Sequence, residues 1–321
     1  MIHLRVIVPA AASSQVVGFL RGDVRVTNLV VLPGAAQDPE GDAVFCDVAR
    51  EAASDIVDRL RALGVNRFGS LALSEVAAAP SEGARRAEAA APGSPEDAIV
   101  WDVVVERATS DARTSWSFYA FLCLATLIAS IAVITDSSIL VVGAMVVGPE
   151  FGPVAAIAVG LALRRPGLVV RSVRLLLLGF LTAVAVTAAL ALLARLAGWV
   201  SPEDVLRARP LTGFIWRPDR WSVVVALLAG AAGVLSLTAG RSNALVGVFI
   251  SVTTVPAAGN LALAVALGVG EEISGALLQL AVNLTGMVAS GTAVLWFQYA
   301  AVRRGRRWRE HRLRPVDATP A

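Results

Sequence analysis

Residues 138–163 read SILVVGAMVVGPEFGPVAAIAVGLAL. An apolar helix needs about 20 residues to cross a hydrocarbon core of about 30 Å, so the stretch is long enough to span a membrane. Its middle, however, is Gly148-Pro149-Glu150-Phe151-Gly152-Pro153. Each proline removes a backbone donor, and the glycines relax the dihedral limits. Carbonyls freed inside lipid then need protein, water or solute as partners. The stretch therefore predicts a broken membrane span. Glu150 lies in the break, where an ionised acid costs at least about 2.5–3.5 kcal/mol on insertion scales. It is expected to face protein, water or an ion, or to be protonated. The other reading is that Glu150 caps the second half-helix, where an acid complements the helix dipole.

Five more spans follow from the same length argument: 116–135, 175–199, 221–239, 244–268 and 273–302, with 138–163 as the second of six. Trp116, Phe118 and Tyr119 open the first span as an interfacial aromatic belt. The fifth span is interrupted at Thr253-Thr254-Val255-Pro256-Ala257-Ala258-Gly259-Asn260. Spans one to three and four to six share one plan, in which the middle span is broken. Three is an odd number, so the second half must enter the bilayer inverted. Paired interruptions of this kind are the best sequence pointer to a transport site. The candidate site residues are Glu150, Pro149, Pro153, Thr253, Thr254, Pro256, Asn260 and Asn283. The polar Gln279 joins them, although Asn, Gln and Thr in apolar spans also serve as interhelical glue.

Composition agrees with a membrane protein. Hydrophobic residues make up 56% of the 321 residues and the mean hydropathy is +0.69. All 28 basic residues are arginine. Arg164, Arg165, Arg171, Arg174 and Arg241 fall between spans on one side, and seven arginines between Arg303 and Arg314 follow the last span in the basic tail 303–321. That bias places both termini in the cytoplasm. The opposite side receives Thr135–Ser137, the loop Val200–Arg220 and the turn Gly268–Glu272. The N-terminus MIHLRVIVPA lacks the charged and apolar regions of a signal peptide.

Residues 1–76 read as a small α+β unit in the order βαββαβ, the split pattern of a ferredoxin-like sandwich. Strands are expected at Leu4–Val8, at Val24–Leu32 with Pro33-Gly34 as the stop, at Ala43–Val48 and at Phe68–Val76. Helices are expected up to Leu20 and at Glu51–Leu63 with Gly64 as the stop. Residues 77–98 read as a flexible linker rich in Ala, Pro and charge. Residues 99–115 form a juxtamembrane segment; its β-branched run Val103–Val105 suits a strand, while the spacing of Trp101, Val104, Val105 and Ala108 suits an amphipathic helix.

The residue set excludes several classes. His3 and His311 are the two histidines, and Cys46 and Cys123 the two cysteines, so neither a zinc cluster nor a disulfide framework is expected. No Ser/His/Asp set, HExxH or GxxxxGK[ST] loop is present, which argues against an enzyme, a bound cofactor and an ATP-driven pump. The basic tail marks a cytoplasmic flank better than a nucleic-acid surface.

From Ala98 onward the chain resembles a bacterial membrane family known as domain of unknown function 389. The resemblance rests on Val100-Trp101-Asp102, on Ser138-Ile139-Leu140-Val141-Val142-Gly143-Ala144-Met145, on Gly148-Pro149 and Gly152-Pro153, and on Asn283 to Gly291. It implies a small cytoplasmic α+β domain beside the membrane part, and it brings no substrate. The position after the first proline is often apolar in such proteins; here it is Glu150. Taken together, the expected function is a secondary transporter or channel-like permease of a bacterial cytoplasmic membrane. Its partners would be the lipid bilayer, a small solute or ion, and further copies of the chain. The rival is a membrane sensor or scaffold whose cytoplasmic domain binds a ligand or partner.

Overall fold

The computed structural model describes residues 1–91, 93–94, 98–239 and 252–312, with side chains as far as residue 301. The chain divides into two compact units, Met1–Glu106 and Arg107–Ala321.

The first unit follows the expected order. Strand β1 (Ile2–Val8) leads to α1 (Ala10–Gly22), β2 (Val26–Gln37), β3 (Glu40–Val48), α2 (Arg50–Ala62), the single turn α3 (Val65–Phe68) and β4 (Ser70–Glu75). The antiparallel sheet has the order β2-β3-β1-β4. Alternate residues of β1, namely Ile2, Leu4, Val6 and Val8, are fully buried. They share one core with Val16 and Leu20 of α1 and Ile56, Val57 and Leu60 of α2. Period-two and helical apolar spacings thus meet in a single interior.

Two local expectations need correction. Pro33-Gly34 does not end β2; the strand runs on to Gln37. The register shifts between Leu32 and Ala36, so the pair occupies a bulge on an edge strand, where a missing donor breaks no ladder. Gly34 supplies the positive φ of 63°, and its N–H donates to Asp42 Oδ1 at 2.8 Å. The stretch read as a linker holds α4 (Glu82–Ala90), capped by the Ser81 hydroxyl, with Ala84 and Ala87 buried. Beyond it, Ala91 and Val100 enter the core of the first unit. Arg50 donates to the Ala98 carbonyl and Ser54 to that of Ile99, both at 3.1 Å. Small apolar residues placed among charges hid this packing from a composition argument.

Helix α5 (Trp101–Asp111) settles the juxtamembrane segment as helical, its β-branched run notwithstanding. In the second unit, α6 (Trp116–Thr135) matches the first expected span. Then come α7 (Ser138–Val147), α8 (Phe151–Ala162), α9 (Pro166–Leu196), the short α10 (Pro202–Leu206), a 3-10 turn (Gly213–Trp216), α11 (Arg220–Ala239), α12 (Thr254–Leu267) and α13 (Gly270–Arg312). Among the described residues four helices are long and apolar enough to cross a membrane: α6, α9, α11 and α13. Helices α7 and α8 make a fifth if counted as one span, bent by 54° at the Gly148–Glu150 break. The fifth span expected over 244–268 lies outside the described residues up to 251, and its described part is the 14-residue α12. Arg171 and Arg174, read as loop residues, belong to the first turns of α9.

Helix α12 packs against α6, α9 and α13, and α11 packs along α13. Small residues permit the close approaches: a Cβ on Gly230 of α11 would fall 2.3 Å from the Met287 carbonyl oxygen of α13. At one end of the unit the segments expected on the outer side come together. The Asp136 carboxylate accepts from Leu211 N–H at 3.2 Å and from the Thr212 hydroxyl at 2.8 Å. Arg207 donates to the Ile134 carbonyl.

Candidate functional site

The two interruptions have one design. Helix α7 stops at Val147, and α8 starts at Phe151 with Glu150 as its N-cap residue and Pro153 at its third position. Helix α12 starts at Thr254 with Thr253 as its N-cap residue and Pro256 at its third position. In the first turn of a helix the missing proline N–H has no intrahelical partner to lose. Pro256, Gly259 and Asn260 were expected in an interruption; they lie inside a continuous helix for this reason.

The starts of α8 and α12 meet. A Cβ on Gly148 would lie 2.7 Å from Val255 Cγ2 and 2.3 Å from Glu150 Oε2. Only a bare backbone leaves room there for the acid and the valine together. Glu150 is buried, and its Oε2 has no hydrogen-bond partner among the described residues. The same holds for the Thr254 hydroxyl, one residue before Val255. The two helix starts thus approach each other in the interior, each with a polar atom unpartnered among the described residues, and each brings partial positive charge.

Beside it, the Thr253 hydroxyl accepts from Gln279 Nε2 at 3.0 Å and from Asn283 Nδ2 at 3.2 Å. Gln279 Nε2 also lies 3.3 Å from Asn283 Oδ1. Thr253 and Asn283 are thus brought together, with Gln279 between them. Pro149 and Pro153 line a recess of about 390 Å³ with Asp111, Arg113, Phe118 and Phe121. Asp111 packs against Gly152, where a Cβ would come 3.0 Å from Asp111 Cβ. Burial pushes the Asp111 carboxyl above its usual range, against the opposing pull of Arg107.

Asn260 is used elsewhere. Its Oδ1 accepts from Arg209 Nη1 at 2.9 Å, and its Nδ2 donates to Glu272 Oε2 at 3.0 Å. Arg209 also pairs with Glu272 through Nη2 and Oε1. The three side chains close a ring of bonds, and Arg209 and Glu272 are only 2% and 5% exposed. Sequence reasoning missed both, since each sat in a segment read as solvated outer loop. The one available signal was Asn260 itself, a buried amide that needs polar partners.

Several apolar helices, a bent pair among them, and a compact α+β unit define a multi-pass membrane protein with a small antiparallel-sheet domain. Residues 145–289 match the family model described as "Domain of unknown function (DUF389)". An uncharacterised protein of the archaeon Methanocaldococcus jannaschii is 25% identical over 207 residues, covering 64% of this chain and 61% of that protein. The chain thus spans about three fifths of that relative's length, and likeness to this chain is not confined to bacteria. No solved structure matches the chain.

Proposed function

We propose that the membrane unit is a secondary transporter or channel-like permease for a small solute or ion, with the N-terminal unit as its cytoplasmic regulatory domain. One observation carries the reading: the starts of α8 and α12 meet at Gly148 and Val255, and Glu150 Oε2 and the Thr254 hydroxyl are buried there without a hydrogen-bond partner among the described residues. Polar groups in apolar spans are costly, and transport sites at broken helices are where such costs are retained. In this reading the unit has six spans as two inverted halves of three. The matching starts Glu150-Phe151-Gly152-Pro153 and Thr253-Thr254-Val255-Pro256 support that arrangement. Arginine placement puts both termini in the cytoplasm.

Glu150→Gln deletes charge at nearly constant shape. The expected result is lost solute flux in proteoliposomes with unchanged helicity and membrane insertion. If Glu150 only caps α8, flux will stay near wild type while the melting temperature falls.

A second reading, a non-transporting sensor or scaffold, is favoured by the Arg209–Asn260–Glu272 ring, whose polar groups satisfy one another as a fixed structural tie requires. Wild-type protein without flux for any ion or small metabolite would select that reading.

A further inference from the structure

A second recess, of about 520 Å³, lies against the Arg209–Asn260–Glu272 ring. The loop after α9 and the start of α13 line it, bringing three guanidiniums, from Arg207, Arg209 and Arg217, against the carboxylates of Glu271 and Glu272. Glu272 neutralises Arg209. The other two arginines are held by uncharged groups: Arg207 donates to the Ile134 carbonyl, and the Arg217 guanidinium lies 4.4 Å from the centre of the Trp216 ring. Both are exposed and carry no ion pair among the described residues; within the lining Glu271 is the carboxylate left to offset them, and Asp204 adds a weaker attraction to Arg207 from outside it. The start of α13 at Gly270 adds the positive end of a helix dipole to the same place.

We propose that this recess binds a small oxyanion, a carboxylate or a phosphate, through Arg207 and Arg217. A guanidinium presents a planar fork of donors that fits either group bidentately, and one already held by a carbonyl or a ring loses less freedom on binding. The volume lies in the range of small-molecule sites. The inference rests on the permease reading for its purpose, since it makes the solute an anion; its binding test stands apart from transport. The floor of the recess supports that purpose. Arg209 is bonded to Asn260 of α12, the helix whose first turn reaches the interior site where two helix N-termini also favour negative charge.

The test uses the full chain in neutral maltoside detergent, with equilibrium dialysis of labelled inorganic phosphate and, separately, labelled succinate. Saturable binding of at least one is expected, weakened about tenfold or more by Arg207→Gln and by Arg217→Gln, each the loss of charge-assisted hydrogen bonds. Both side chains are exposed, so helicity and melting temperature should hold. A parallel arm places the protein in phosphatidylcholine nanodiscs with and without phosphatidylglycerol. Binding seen only to phosphatidylglycerol, and lost in both variants, supports oxyanion recognition with a lipid headgroup as its source. No saturable binding in any arm, or wild-type affinity in both variants, overturns the proposal. Binding without flux overturns the permease reading and leaves the recess assigned.

Discussion

Arg209 and Glu272 are 63 positions apart, and both are buried. Removing one partner from such a pair leaves an uncompensated charge, whereas removing both leaves apolar packing. Arg209→Met is therefore expected to cost about 3–5 kcal/mol, and Arg209→Met with Glu272→Leu distinctly less than the sum of the single changes. Denaturation of the four proteins in detergent measures this, and additive losses would show that the ring carries no coupling. In the other unit, burial pushes the Cys46 thiol up to about 12 from its ordinary 9.0. The folded state thus holds the thiol neutral while the unfolded chain ionises it. Its contribution is fully present below pH 9 and is lost as the pH rises from 9 toward 12. Urea unfolding of the N-terminal unit should show this decline and Cys46→Ala should flatten it. Maleimide should reach Cys46 only on unfolding.

Among the elements, α11 and α13 pack along much of their length, and at Gly230 the α11 backbone lies directly against Met287 of α13. A Cβ at 2.3 Å from the Met287 carbonyl and from Ser290 Oγ meets backbone as well as a side chain, so relief requires the helices to part. Gly230→Val should destabilise by about 1–3 kcal/mol through overpacking. Gly143, whose Cβ would meet nothing within 4 Å, should accept alanine without loss of thermal stability. The positions of the elements were largely legible in the sequence. Trp116–Thr135 was bounded as found because an unbroken apolar run of that length has one outcome in lipid. Helix α4 was not legible, because its helicity depends on Ala84 and Ala87 finding a surface to bury against.

For the whole molecule, the permease reading makes a statement about sides. The turn at Asp136 and the loop at Leu211–Thr212 are tied together by hydrogen bonds, so they must face the same compartment. Cysteine labelling at Arg207 and Arg306 should then report opposite faces of the membrane. The same face for both would remove an odd number of crossings between them and end the six-span arrangement. Helix α13, with 43 residues, is about 65 Å long at 1.5 Å per residue and so extends well past one hydrocarbon core.

The sequence by itself determined the long apolar helices, the break at Gly148–Glu150, the βαββαβ order and the resemblance to the DUF389 family, because each follows from local composition, period or motif. It also pointed to Glu150, Thr253 and Asn283, since a polar residue in an apolar run stands out without knowledge of its neighbours. Only the tertiary structure decided what those residues meet. Asn260, read as a site residue of the second interruption, is held by Arg209 and Glu272, two charges that looked solvated because neither is near the other in sequence. Pro256, expected to interrupt a helix, begins one, since the cost of proline depends on whether a preceding turn exists to be broken. Pairing across 63 positions is set by how helices pack, and no period or motif in the chain encodes it.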